Sequence, residues 1–163
     1  MKYAEALKWS DEIETVEPGS EAEKAAMERF KAYFSSVNEA TVHAMTRQLY
    51  ADHVYFNDTL KTFMRAADIE RYFARTSRML SVFSVTLDGV ARTGKDYYVC
   101  WTMEIRFRRI RKDRSYVSHG MSRIRLDKDG RVVLHQDFWD SAKNFFGHIP
   151  VLGAAIKLTR RMV

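Results

Sequence analysis

Between residues 82 and 140 apolar and polar residues alternate with a period of two, whereas before that point apolar residues recur every three or four positions. The cleanest alternation runs over 97–109. It puts Tyr97, Val99, Trp101, Met103, Ile105 and Phe107 on one face and Tyr98, Cys100, Thr102, Glu104, Arg106 and Arg108 on the other. Period two with one apolar face predicts a half-buried strand. The run over 82–92 predicts a partner strand, closed by the turn Thr93-Gly94-Lys95. Two more strands, over 116–126 and 131–140, are joined by Asp127-Lys128-Asp129-Gly130, the composition of a tight hairpin.

The first half reads as helical. Ser20 and Glu23 form a capping-box signature ahead of Ala26, Phe30, Tyr33, Phe34 and Val37, so a helix runs to about residue 36. Asn38 caps a second helix carrying Val42, Met45 and Leu49. A strand over 53–58 puts Val54, Phe56 and Asp58 on one face. A third helix aligns Ile69, Tyr72, Phe73, Thr76, Met79 and Leu80, with Arg71, Arg75 and Arg78 pointing away. Residues 1–19, acidic and closed by Pro18-Gly19, read as a loose lead-in to a domain over 20–142. Residues 143–163 read as an extension with a short helix after Pro150. The order α-α-β-α-β-β-β-β-α makes an α+β fold.

A chain of 163 residues fits one core. Aromatic residues make up 13%, which suits a pocket as well as a core. The single cysteine, Cys100, excludes an intrachain disulfide and a cysteine-held metal. With no apolar signal-like run at the amino terminus, this points to a reducing, cytoplasmic setting, and no run of about eighteen apolar residues predicts a membrane span. Net charge is +6, and Arg106, Arg108, Arg109, Arg111, Lys112 and Arg114 concentrate it. No nucleic-acid motif accompanies this patch, so a solvated strand end and turn is the expectation, without nucleic acid as a partner.

Register decides which side chains face the concave side. On the strand over 116–126 the even positions are small or apolar, so Ser118, Gly120 and Ser122 face inward. Pairing Leu126 with Arg131 then turns Val133, His135, Asp137 and Trp139 inward, whereas a three-residue loop brings His119 inward instead. Small residues opposite large polar ones leave room for a ligand. His135 and Asp137, two apart on a strand, share a face and suit acid–base work or a buried polar network; a metal needs a third ligand, and none is evident. Asp58 reads as a pocket base or as a cap on the following turn, and Tyr33 as a core tyrosine.

The segments Leu49-Tyr50-Ala51-Asp52-His53-Val54-Tyr55-Phe56-Asn57-Asp58 and Asp129-Gly130-Arg131-Val132-Val133-Leu134-His135-Gln136-Asp137-Phe138-Trp139-Asp140 resemble the nuclear transport factor 2-like superfamily, in particular its SnoaL-like (polyketide-cyclase-like) bacterial branch. The resemblance implies a cone: a strongly bent antiparallel sheet wrapped on three helices around a deep pocket. Ketosteroid isomerases of this fold set a tyrosine on the first helix and an aspartate base at the end of the first strand; Tyr33 and Asp58 match these, with Thr59 where a proline usually follows. Their second acid falls on Ser122, so the oxyanion site lacks its carboxylic acid. SnoaL-like cyclases use a late-strand aspartate with a histidine nearby, matched by Asp137 with His135 or His119. Epoxide hydrolases of this fold need an Asp-Arg-Asp set, and no inward arginine completes one.

The expectation is therefore a protein that binds a hydrophobic small molecule. It would act as a cofactor-independent isomerase or aldol cyclase on a carbonyl compound, or as a non-catalytic binding module. Asp58, Asp137, His135 and Tyr33 are the acid–base candidates. Phe56, Trp101, Met103, Ser118, Gly120, Ser122 and Trp139 are the ligand-binding candidates. The outward set Val132, Leu134 and Phe138 predicts a homodimer across the convex face, or a cover supplied by residues 145–156.

Overall fold

The computed structural model describes residues 1–109 and 113–140. The predicted extension over 143–163 and its helix, and Arg111 and Lys112 of the basic patch, lie outside the described residues. The described elements are α1 (Tyr3–Asp11), α2 (Glu21–Ser35), α3 (Glu39–Leu49), β1 (Tyr50–Asn57), β2 (Thr62–Arg65), α4 (Ala66–Met79), β3 (Leu80–Thr93), β4 (Asp96–Phe107), β5 (Tyr116–Leu126) and β6 (Val132–Trp139). None of the described helices is long and apolar enough to cross a membrane.

The helix starts follow their caps. Ser20 accepts the Glu23 N–H at 3.1 Å while Glu23 reaches back to the Gly19 N–H at 2.6 Å, and Asn38 accepts from Thr41 at 3.0 Å. The sheet has the order β2-β1-β6-β5-β4-β3 and is not closed. Its concave face packs on α2, α3 and α4 through Phe30, Tyr33, Val42, Leu49, Phe56, Ile69 and Phe73, which form one buried cluster. This is the expected α+β cone with one difference: β1 runs parallel to β6, so the sheet is mixed rather than wholly antiparallel. The unforeseen β2 is short and pairs with β1 across a turn at Asp58–Lys61.

The hairpin between β5 and β6 decides the site. Asp127 Oδ1 accepts the N–H groups of Asp129 and Arg131 at 3.0 and 2.8 Å, which keeps Arg131 in the loop and pairs Leu126 with Val132. That slip of one residue would turn His135 and Asp137 outward. A bulge at Val133 takes up one more residue, so Arg125 pairs with Leu134, Ile124 with His135 and Ser122 with Asp137. The pairing is thus displaced by two from the expected one, and the inward row survives. His119 faces the other way, exposed, with Nδ1 2.9 Å from Thr102 Oγ1.

The same bulge corrects the outward row. Val132 faces the main core, and Leu134 is fully buried on the convex side. Leu134 is buried by α1, in the segment expected to be loose, while the cover expected from residues 145–156 lies outside the described residues. Tyr3, Ala6, Leu7 and Ser10 fall on one stripe of α1; Ala6 packs with Tyr55 and Leu134, and the Tyr3 ring lies 6.1 Å from that of Phe138. Of the acids in that segment Glu5 lies in the first turn of α1, where it suits the helix dipole, and the others begin at its last residue, Asp11. Polar anchors fix the helix: Arg125 donates to Leu7 O at 2.9 Å and Ser10 Oγ at 2.8 Å, and pairs with Asp11 at 2.8 Å. Arg125 Nε also donates to Asp96 Oδ1 at 2.6 Å, and Arg123 bonds the same carboxylate. Burial pushes the Asp96 carboxyl up, but the two guanidiniums outweigh it and hold it below the ordinary 3.8. Phe138 remains 43% exposed on this face, and Val117 is exposed on neighbouring β5.

Candidate functional site

Between the concave face and the helices lies a cavity of about 400 Å³. Its walls are mostly rings and alkyl chains: Phe30 and Phe34 from α2, Tyr72 and Phe73 from α4, Phe83 from β3, and Trp101, Met103, Ile105 and Phe107 from β4. The period-two face of β4 and the stripe of α4 both supply it. The polar lining is Asp58, Lys61, Tyr72, Thr76, Ser122, His135 and Asp137, with Trp139 beside them. Among the described residues no group of three or more His, Cys, Asp or Glu side chains is placed to hold a metal.

Three of the four acid–base candidates meet here, and Tyr33 does not. Its ring is fully buried, its hydroxyl lies 2.9 Å from Thr46 Oγ1, and burial raises its pKa far above the ordinary phenol value. The phenol that reaches the site is Tyr72, which donates to Asp58 Oδ2 at 2.6 Å. The sequence carried Tyr72 only as one residue of an apolar stripe. Of the ligand-binding candidates, Trp101, Met103, Ser122 and Trp139 line the cavity. Phe56 sits behind His135, with ring centroids 5.0 Å apart, and Ser118 is buried in the sheet opposite Met103. Gly120 leaves no free space. A Cβ there would stand 2.5 Å from the Trp101 indole and 2.9 Å from Trp139 Cβ, so the glycine exists to let the indole lie across β5.

Asp58 is both things the sequence allowed. Oδ1 caps the β1–β2 turn by accepting the Leu60 and Lys61 N–H groups at 2.9 and 2.7 Å, while Oδ2 meets Tyr72 at the cavity wall. Burial raises its pKa above the ordinary value, against the lowering effect of these bonds, and the charge of Asp137 adds to the rise. Next to it Thr59 takes a φ of 71°, a left-handed conformation that is strained for a β-branched residue.

Asp137 ends a chain of hydrogen bonds. Trp101 Nε1 donates to Ser122 Oγ at 2.9 Å, and Ser122 donates to Asp137 Oδ1. His135 Nε2 lies 2.8 Å from the same oxygen, and His135 Nδ1 lies 2.9 Å from the Tyr50 hydroxyl. Tyr50 is completely buried, its phenol is held protonated far above the ordinary value chiefly by burial, and its proton has His135 as acceptor. With Asp137 ionised, one direction is consistent: Tyr50 O–H donates to Nδ1 and the Nε2–H donates to Asp137. Tyr50 thereby fixes the imidazole tautomer. Among the described residues Oδ2 of Asp137 accepts no hydrogen bond, which leaves it open to a ligand.

Residues 30–135 match the SnoaL-like domain family. The chain belongs to the SnoaL-like family. No curated protein matches it. Among solved structures, this SnoaL-like chain is similar to an LEH-like epoxide hydrolase from M. tuberculosis, at 18% identity over 85% of this chain and 98% of that one, with a TM-score of 0.61. It is also similar to a hypothetical protein of ketosteroid isomerase-like fold from Catenulispora acidiphila, solved with trimethylamine, at 15% identity over 73% and 88% with a TM-score of 0.62. A nuclear transport factor 2-like protein of unknown function from Exiguobacterium matches at 15% identity over 71% and 98%, with a TM-score of 0.59. At these identities the structures establish the fold alone. The Asp-Arg-Asp set is not assembled in the SnoaL-like cone described here: Arg123 and Arg125 face α1 on the convex side, and no arginine is among the described residues lining the cavity.

Proposed function

We propose that this SnoaL-like protein binds a hydrophobic small molecule inside the cone and that Asp137 is the group that acts on it. One observation carries this reading: at the wall of an aromatic cavity Asp137 has one oxygen anchored by Ser122 and His135 and the other without a hydrogen bond among the described residues. In its catalytic form the reading is an isomerase or aldol cyclase working without a cofactor. Asp137 takes a proton next to a carbonyl, and His135, held in one tautomer by Tyr50, stabilises the carboxylate in place. Tyr33 has no part in it, and Asp58 with Tyr72 is the second acid–base candidate.

A specific observation favours the alternative, a receptor without catalysis. An enolate oxygen needs a donor, and the neutral donors at the wall are already committed: Tyr72 to Asp58, Ser122 and His135 to Asp137, Trp101 to Ser122, and Trp139 to the Asp58 carbonyl at 2.8 Å. Native mass spectrometry of the purified protein identifies a retained ligand. Incubating that ligand with protein in heavy water then separates the two readings. The catalytic form predicts deuterium at the carbon next to the carbonyl, slowed about a hundredfold or more by Asp137→Asn. A retained ligand that takes up no deuterium leaves the receptor.

A further inference from the structure

The committed donors also say what kind of molecule the cavity selects. Thr76 is the remaining neutral hydroxyl at the wall; burial raises the pKa of the Tyr72 phenol, and the Thr76 hydroxyl acts as a donor that lowers it. What remains among the described residues is acceptor capacity: Oδ2 of Asp137, which accepts no hydrogen bond from them, and the cavity-facing Oδ2 of Asp58. The cationic side chain in the lining, Lys61, is solvent-exposed and forms no ion pair with either carboxylate among the described residues. A ligand whose polar end only accepts, such as a ketone or ester, would lose its water hydrogen bonds on entry and find no neutral donor in exchange. An anion would enter beside two carboxylates. A cation with N–H groups meets the opposite situation, with acceptors unfilled and Tyr72, Trp101 and Trp139 among the walls.

We propose that the ligand of this cavity is a hydrophobic amine in its protonated form, its ammonium group bonded to Asp137 and within the field of Asp58, its apolar body on the aromatic walls. This rests on the binding half of the function proposed above and not on catalysis. The Asp58 carboxyl, raised by burial and by Asp137, is relieved when a cation shares the cavity. The volume of about 400 Å³ admits a ring with a short alkyl chain.

The test is a matched series that keeps the body and changes the polar end: 4-phenylbutylamine, 4-phenylbutanol and 4-phenylbutanoate, titrated into the intact protein by calorimetry at neutral pH. The amine is expected to bind at least about tenfold more tightly than the alcohol, and the acid more weakly than both. Asp137→Asn is expected to remove the preference for the amine while the alcohol still binds, and Asp58→Asn to reduce it. If the alcohol or the acid binds as well as the amine, the cation proposal is overturned while the binding cavity stands. If none of the three binds at millimolar concentration, both fall.

Discussion

Gly120→Ala tests how the tryptophan wall is built. The added Cβ would stand 2.5 Å from Trp101 Cη2 and Cζ2 and 2.9 Å from Trp139 Cβ, all inside contact distance. The Trp101 ring tip could swing away, but Trp139 Cβ is tied to its backbone and cannot. Moving the indole breaks its bond to Ser122, a residue that is itself 2% exposed. Overpacking of this kind costs about 1–3 kcal/mol, and the lost buried hydrogen bond adds about 1 kcal/mol. A destabilisation of about 2–4 kcal/mol corresponds to a fall in Tm of roughly 5–15 °C for a chain of this size. Urea unfolding followed by tryptophan fluorescence measures it. Adding Trp101→Leu should recover part of the loss, because the two nearest of the three clashing atoms belong to the Trp101 indole. A change below about 0.5 kcal/mol in Gly120→Ala, or strict additivity with Trp101→Leu, refutes the packing argument.

Tyr50→Phe leaves His135 Nδ1 without its buried donor; the protein should lose about 1–3 kcal/mol, and nitrogen-detected NMR should show the His135 ring leaving the single Nε2–H tautomer of the wild type. Asp58 gives a pH test. Its folded pKa is raised, so protonation favours the folded state, and that contribution is present below the ordinary 3.8 and lost as pH rises through the higher folded value. Asp58→Asn, which carries no charge to bury, should therefore gain stability relative to the wild type as pH rises from 3.8 through that value, read as the difference in Tm between the two proteins; a constant difference across the range would refute the assignment.

What the sequence showed of the site was parity, and what it hid was geometry. That His135, Asp137 and Trp139 share a face follows from period two and needs no structure. Which residues stand opposite them depended on two features of the hairpin, the Asp127-held loop and the bulge at Val133, whose effects on facing cancel. The stripe of α2 placed Tyr33 on a buried face, but the roll of a helix against its neighbours, which turns that ring toward Thr46 and not the cavity, is a property of packing. Tyr72 was hidden for the converse reason: it reads as stripe filler until the turn after β1 brings Asp58 within reach of its hydroxyl. The helix α1 was legible in principle, since Tyr3, Ala6, Leu7 and Ser10 have helical spacing, but the acids from Asp11 onward dominated the composition of that segment.

The parallel pairing of β1 with β6 bears on how this chain is made. Tyr55 in β1 meets Gln136 in β6, 81 positions later. At about 5–20 residues per second of synthesis, β1 waits roughly 4–16 seconds for the neighbour that completes it. During that interval α3 and α4 can already pack on β1 through Val42, Leu49, Val54 and Ile69, while the strand keeps one edge of unpaired backbone groups toward water. On the ribosome, that half-built sheet edge is the surface most open to wrong pairing, and the one that β6, the last of the described strands to emerge, has to find before another chain does.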